Sequence, residues 1–144
     1  MKASKKCSPK PKVRIVNALD PMIKWIEIQN LSRPGIPSIK ARLCDSFWTK
    51  LRGLMFQKSL DEHQGILIDE KIDGIANTSI HMFFMRFPIA AIWINANLEI
   101  VDAKIAHPWN PFYAPSKPAR FVLETHPKRL LDFKPGDRVK LLHE

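Results

Sequence analysis

One stretch of the sequence, from Ile80 to Ile94, limits the folds open to this chain more than any other. Thirteen of its fifteen positions are apolar side chains or proline, and only His81 and Arg86 interrupt it. A run of this density must be covered by the rest of the protein, so we expect it to lie in the middle of the hydrophobic core. It is shorter than the ~20 residues of a membrane-spanning helix and contains Arg86 and Pro88, so we predict no membrane association.

The segments around this run have the pattern of short strands. Ile89–Ile94 is apolar at every position, which is typical of a central strand, whereas Ile39–Leu43 and Arg120–Glu124 alternate between apolar and polar residues. The apolar phase shifts between Ile100 and Val101, which indicates a β-bulge. Twelve prolines disfavour an all-helical fold.

One segment has a different period. Apolar residues recur at three- and four-residue spacing through residues 46–56, at Trp48, Leu51 and Met55, and Asp45 is a suitable N-cap. This predicts one amphipathic helix near residues 46–56. The chain as a whole is therefore predicted to be mainly β, a single-domain antiparallel sandwich or distorted barrel with one helix.

The net charge of +9 is concentrated at the start of the chain. Residues 1–14 contain six basic residues and no acidic residue, so the remainder carries only about +3. We predict that residues 1–12 form a disordered basic tail and that residues 13–144 form one β-rich domain. Such a tail attracts phosphates in a salt-dependent way, and non-specific nucleic-acid association is therefore one alternative function.

The cysteines and the N-terminus bear on the cellular compartment. Cys7 and Cys44 are the two cysteines, too few for a disulfide framework. No apolar stretch follows the N-terminal lysines, so a secretory signal is not expected. We predict a cytoplasmic location.

Three stretches carry a resemblance to a known family. They are Phe47–Met55 (Phe-Trp-Thr-Lys-Leu-Arg-Gly-Leu-Met), Ile80–Ile89 (Ile-His-Met-Phe-Phe-Met-Arg-Phe-Pro-Ile), and Val122–Glu124 followed by Gly136 and Asp137. In their order and spacing the chain resembles the uncharacterised proteins called domain of unknown function 192, over about residues 14–142. The resemblance implies a mainly-β, jelly-roll-like sandwich and implies no established biochemical activity.

The chain also departs from the pattern of that family at three places. Phe56 and Gln57 stand where the family usually has Gly-Arg, and Ala90 stands where it usually has Asp. Residues 125–128 replace a turn of the Pro-Ala-Gly type. A function that needed the family's Arg or Asp would be missing from this chain.

The common catalytic signatures are absent from the sequence. It contains no Gly-rich phosphate loop, Gly-x-Ser-x-Gly elbow, His-Glu-x-x-His or Cys-x-x-Cys. An enzyme remains open, because sandwich folds can assemble sites from separate strands. The best dispersed set has imidazole and carboxylate ligands suited to a divalent metal ion, and its members are His81, His107, Glu124 and His126. The competing interpretation is histidines that are exposed or hydrogen-bonded in the core.

Two arginines interrupt apolar surroundings. Arg52 lies in the predicted helix and Arg86 in the apolar run. Each either forms a structural ion pair or holds an anionic ligand through a fixed guanidinium. The loop 106–118 contributes Trp109, Phe112 and Tyr113, which either wall a binding site or cap an open end of the sandwich.

These observations favour a protein that binds a small anionic ligand or a protein partner without chemistry. The predicted ligand-binding residues are those that combine aromatic walls with polar anchors: Arg52, His81, Arg86, Trp109, Phe112, Tyr113 and Glu124. The first alternative is a metal-assisted enzyme that uses the His/Glu set, and the second is nucleic-acid association through the tail.

Overall fold

The computed structural model describes residues 23–46, 49–50 and 53–144. Within these residues, seven strands form one sheet in the order β5-β4-β6-β3-β2-β1-β7. The strands are β1 Trp25–Asn30, β2 Ile39–Cys44, β3 Gln64–Gly74, β4 Ile89–Ile94, β5 Ile100–Ala106, β6 Ala119–Thr125 and β7 Val139–His143, with a short 3-10 helix at Pro127–Asp132. The predicted mainly-β fold is confirmed.

The sheet curls until its two outer strands meet at one end. Ile100 N donates to Asp137 O at 2.9 Å and Val139 N donates to Leu98 O at 2.9 Å, which joins the start of β5 to the start of β7. The rest of β5 does not pair with β7. The result is a distorted barrel that is not closed.

One pairing differs from the antiparallel expectation. Strands β2 and β3 are parallel, in the register Ala41 to Gly65 and Leu43 to Leu67, whereas the other neighbouring pairs are antiparallel. Parallel strands need a crossover of about a dozen residues or more, and residues 45–63 supply it. Alternation of apolar residues carries no information on strand direction, so the parallel pairing could not be predicted from it.

The apolar residues pack on both faces of the sheet. All seven strands contribute to one cluster, enclosed by the curled sheet, which includes Ile28, Ile92 and Leu123. The second cluster, on the outer face, includes Trp93 and Val122. Strand β4 is buried at every position because its alternate residues serve the two clusters. Its predicted central place is confirmed, and so is the bulge, because Trp93 pairs with Asp102 and Ile94 with Ile100.

The first half of the apolar run, which we expected to lie in the middle of the core, covers the outer cluster instead. Ile80 exchanges two backbone hydrogen bonds of 2.9 Å with Tyr113, and turns follow. Met82 and Met85 are buried in the outer cluster, while Phe83 and Phe84 are exposed. The run is therefore only partly core, since two of its phenylalanines face solvent.

The predicted helix is only partly within the described residues, because Trp48, Leu51 and Arg52 lie outside them. Thr49 and Lys50 are helical, and Ser46 rather than Asp45 caps them, accepting a hydrogen bond from Thr49 N on its Oγ at 3.3 Å. Residues 1–22, which include the predicted basic tail, also lie outside. No helix within the described part of the chain is long and apolar enough to cross a membrane.

Candidate functional site

An open cleft with aromatic walls lies where residues 84–86 meet the loop after β5. Its volume is about 340 Å³, and its lining residues are Phe56, Phe84, Met85, Arg86 and Trp109. We call it the aromatic cleft. This volume lies at the lower end of the ~300–1,000 Å³ typical of small-molecule sites.

The rings of the aromatic cleft contact one another in a chain. The ring centroids of Phe56 and Phe84 are 5.2 Å apart, and those of Phe84 and Trp109 are 5.1 Å apart. The three residues are between 47% and 60% exposed. Phe83 extends the group by an edge contact with Trp109 at 6.5 Å. Contiguous exposed apolar surface of this kind marks interaction sites in folded proteins.

The backbone of these three residues has an unusual conformation. Phe56, Phe84 and Trp109 have φ angles of 63°, 60° and 65°. A positive φ is uncommon for bulky residues and costs about 1–3 kcal/mol at each position. Backbone hydrogen bonds hold it, from Phe56 N to Phe84 O at 3.1 Å and from Trp109 N to Met82 O at 2.7 Å. The rings are therefore held in place by the main chain as well as by each other.

Among the described residues that line the cleft, Arg86 is the one with a charged side chain. It is exposed, and it takes part in none of the ion pairs formed among the described residues. Of the two interpretations of this arginine, the structural ion pair therefore has no support in the described residues. Arg86 lines the cleft together with the apolar rings, and guanidinium donors of this kind can pair with an anion.

A second, smaller pocket lies on the outer face of β3 and β6, beneath residues 77–85. Its volume is about 110 Å³, and Glu124 and His81 are among the residues that line it. We call it the glutamate pocket. Glu124 is only 7% exposed, and burial raises the pKa of its carboxyl group to about 7. Met85 lines both sites.

His81 and Glu124 are the two members of the predicted metal set that the structure brings to one pocket. His107 and His126 do not line it. The Nδ1 atom of His126 instead accepts a hydrogen bond from Lys128 N at 3.2 Å, at the start of the 3-10 helix. Within the described ranges, no group of three or more His, Cys, Asp or Glu side chains is arranged to hold a metal ion. The metal site stays a prediction.

Of the other predicted ligand residues, some line the aromatic cleft and some do not. Trp109 lines the aromatic cleft, whereas Phe112 and Tyr113 do not. The hydroxyl of Tyr113 accepts hydrogen bonds from His107 N at 2.9 Å and Asn110 Nδ2 at 3.0 Å, so it braces the loop. Arg52 lies outside the described residues.

Sequence reasoning missed Phe56 and Phe84, the two rings that complete the cleft. Phe84 belongs to the run that is predicted to be core, because an apolar run does not distinguish inward from outward residues. Phe56 carried a usable signal, since it stands where the resembled family usually has glycine. A glycine there suits the positive φ that the structure shows at Phe56.

Comparison with known proteins identifies relatives over most of the chain. The profile of domain of unknown function 192, described as Uncharacterized ACR, COG1430, matches residues 29–141. The UPF0127 protein of Pyrococcus furiosus is 32% identical over 105 residues, which cover 71% of this chain and 86% of that protein. The UPF0127 protein of Pyrococcus horikoshii is 34% identical over 117 residues, covering 79% and 94%. That of Thermococcus kodakarensis is 36% identical over 85 residues, covering 59% and 52%.

Two solved structures share the fold. A protein of Sinorhizobium meliloti 1021, named as a candidate transcription regulator, superposes with a TM-score of 0.69 at 21% identity and covers 82% of this chain and 92% of its own. A protein of unknown function from Novosphingobium aromaticivorans gives a TM-score of 0.69 at 20% identity, covering 81% and 83%. At these identities the likeness concerns the fold alone. Because the profile spans residues 29–141, this chain belongs to the domain of unknown function 192 family.

Proposed function

We propose that this protein binds a small amphipathic anion in the aromatic cleft and performs no chemistry on it. The ligand class is a flat apolar group that carries a carboxylate or phosphate. The observation that carries the proposal is the arrangement of Phe56, Phe84 and Trp109, three exposed rings in contact, each with a positive φ, beside Arg86.

The chemistry of the cleft supports this ligand class. Aromatic rings bind a flat apolar group by offset or edge contacts, each worth about 0.5–1.5 kcal/mol beyond the buried area. The guanidinium of Arg86 pairs with carboxylate or phosphate oxygens through parallel N–H donors. Met85, the remaining lining residue, adds an adaptable apolar contact.

The strain in the walls supports binding rather than a merely structural role. Three bulky residues with positive φ lower the stability of the folded state, yet their rings remain largely exposed. Walls fixed before the ligand arrives reduce the ordering entropy that binding must overcome. None of the described residues that line the cleft is a general base or a nucleophile, which favours binding over bond-making.

The proposal is tested with 2-naphthoate, a flat aromatic carboxylate, titrated by isothermal calorimetry. We expect one site in the wild-type protein and at least a tenfold loss of affinity in Trp109→Ala. The matched control is Phe112→Ala, which removes an aromatic that is 64% exposed and outside the cleft, and which should leave the affinity unchanged. Equal affinity of the wild type and Trp109→Ala for 2-naphthoate would contradict the proposal.

We also propose a cytoplasmic location for this protein. Cys44, the cysteine of the described residues, is free and buried, which suits a reducing compartment. Fractionation of cells that express the tagged chain tests this, and recovery in the membrane or extracellular fraction would contradict it.

A further inference from the structure

We infer that the glutamate pocket is a second binding site, which takes a primary ammonium group on a short alkyl chain. This site is separate from the proposed anion site in the aromatic cleft, and it rests on different residues. The ammonium would belong either to a free alkylamine or to a lysine side chain of a partner.

The hydroxyl groups of the pocket point to a ligand that donates hydrogen bonds. Thr78 Oγ1 donates to Gly74 O at 2.7 Å, and Ser79 Oγ donates to Ile75 O at 2.9 Å. Both residues line the pocket. A hydroxyl has one proton and two lone pairs, so each oxygen has only acceptor capacity left. A primary ammonium has three donors and no acceptor, which is the complementary set.

Glu124 supplies the negative charge. Its carboxyl group lines the pocket and is buried, and burial of this kind disfavours the ionised form. An ammonium in the pocket would offset that cost by placing the opposite charge and hydrogen-bond donors beside the carboxylate. Binding of the ammonium and loss of the Glu124 proton would therefore favour each other.

Within the described ranges, most of the other charged and titratable groups near Glu124 have hydrogen-bond or ion-pair partners of their own. Lys50 pairs with Glu70, with Nζ and Oε2 3.2 Å apart. Arg42 on β2 donates from Nη2 to Gly53 O at 3.1 Å, whereas its Nε is buried and has no hydrogen-bond partner among the described residues. Cys44 on the same strand is a buried thiol. His81 lines the pocket and is exposed, and its Nδ1 accepts a hydrogen bond from Phe83 N at 3.2 Å.

The walls and size of the pocket suit a short alkyl chain. The apolar lining includes Leu54, Ile68, Ile80, Met82 and Val122. The volume of about 110 Å³ is smaller than a cavity of ~150 Å³ that accommodates benzene. A chain of four carbons, the length of the lysine stem, is of the size that such a volume accepts.

The test uses n-butylammonium, with 1-butanol as the matched neutral probe, and follows binding by backbone amide NMR shifts at pH 8. We expect butylammonium to bind at least tenfold more tightly than butanol, with shifts around Glu124 and Ser79. Equal binding of the two probes would show that the pocket binds the alkyl chain without recognising the ammonium group, and it would overturn the inference. N-acetyl-lysine methylamide distinguishes the sources: binding of this probe assigns the site to a lysine side chain, and binding of butylammonium alone assigns it to a free amine.

Two further readouts keep the test independent of folding and of the anion site. Glu124→Gln should weaken butylammonium at least tenfold while 2-naphthoate binding is unchanged. In the wild type and in His81→Gln alike, butylammonium affinity should rise between pH 6 and pH 8 as Glu124 loses its proton. If the pH dependence is absent from the wild type, or if Glu124→Gln folds and binds butylammonium normally, the inference is wrong.

Discussion

Phe84 and Trp109 lie with their ring centroids 5.1 Å apart, and each has a positive φ angle. They belong to two segments that backbone hydrogen bonds join, since Trp109 N donates to Met82 O at 2.7 Å and Met82 N donates to Asn110 O at 2.9 Å. The main chain thus sets the distance between the rings without a ligand. The aromatic cleft is built into the fold, at a cost in backbone strain.

Replacing Phe56 with glycine should weaken ligand binding while the stability of the folded state changes little. Glycine adopts the φ of 63° without strain, so the substitution relieves about 1–2 kcal/mol of backbone strain. This relief offsets the loss of the contact that the exposed Phe56 ring makes with Phe84. We expect the free energy of unfolding of Phe56→Gly, measured in urea, to stay within about 1 kcal/mol of the wild type. Affinity for 2-naphthoate should fall at least fivefold.

Lys71→Gly is the matched control for this substitution. Lys71 is exposed, has a φ of 70° and does not line the cleft. The substitution Lys71→Gly should relieve backbone strain and leave the affinity for 2-naphthoate unchanged. A Phe56→Gly protein that binds normally would show that Phe56 is not a wall of the site.

Gly65→Ala should be strongly destabilising. Gly65 faces Thr125 across the β3–β6 pair, and a Cβ at this position would lie 2.5 Å from the backbone oxygen of Glu124. Because that contact is with main chain, strand β6 must shift, and we expect a loss of about 2–3 kcal/mol in urea unfolding. Gly35→Ala is the control, since a Cβ there meets nothing within 4 Å, and its effect should be within about 0.5 kcal/mol. Similar effects of the two substitutions would mean that the β3–β6 packing is looser than described.

Glu124 should make the protein less stable as the pH rises from about 4.5 to 7. Burial raises the pKa of this carboxyl group from 4.5 to about 7, so the folded state binds the proton more tightly than the unfolded state within that window. Stability is therefore highest below the window, and the loss across it is about 3 kcal/mol, at ~1.4 kcal/mol per pH unit. Urea unfolding at pH 5 and pH 7.5 measures it. Glu124→Gln should lack this contribution, and an identical pH dependence in that variant would refute the assignment.

Asp69 should act in the opposite direction and at lower pH. Arg120 donates to both of its oxygens, from Nε at 3.0 Å and from Nη2 at 3.1 Å. Although burial of the carboxyl group opposes the shift, hydrogen bonds from Arg120 and Lys71 lower the pKa of Asp69 to about 2. Asp69 therefore stabilises the folded state at pH values above 3.8, the pKa of this group in the unfolded chain, and this contribution is lost as the pH falls towards 2. Asp69→Asn should be less stable than the wild type by about 2 kcal/mol at pH 7, and the difference should shrink below pH 4; a constant difference would contradict this.

The sequence was sufficient for those parts of the fold that depend on burial. Ile89–Ile94 is apolar throughout because its two faces contribute to two clusters. The shift of apolar phase at Val101 corresponds to the irregular register between β4 and β5. The parallel pairing of β2 with β3 could not be predicted, since an alternating strand has the same pattern in both directions.

The site was harder to predict because it departs from the rule that apolar residues are buried. Phe84 is indistinguishable from its buried neighbours Met82 and Met85 in sequence, and only the turns after Ile80 place it outside. His81 and Glu124 line the same pocket, because the segment that contains His81 packs over the face of the sheet on which Glu124 lies. Such contacts between distant segments depend on the fold and not on local spacing.

The role of Arg86 in binding an anion is tested by comparing 2-naphthoate with its neutral analogue 2-naphthamide in the wild type and in Arg86→Gln. The wild-type protein should bind the carboxylate at least tenfold more tightly than the amide, because Arg86 in the cleft lining pairs with the carboxylate. In Arg86→Gln the two affinities should become equal while 2-naphthamide binds as before. A preference for the carboxylate that survives in Arg86→Gln, or a wild-type protein that binds neither compound, would contradict the proposed function.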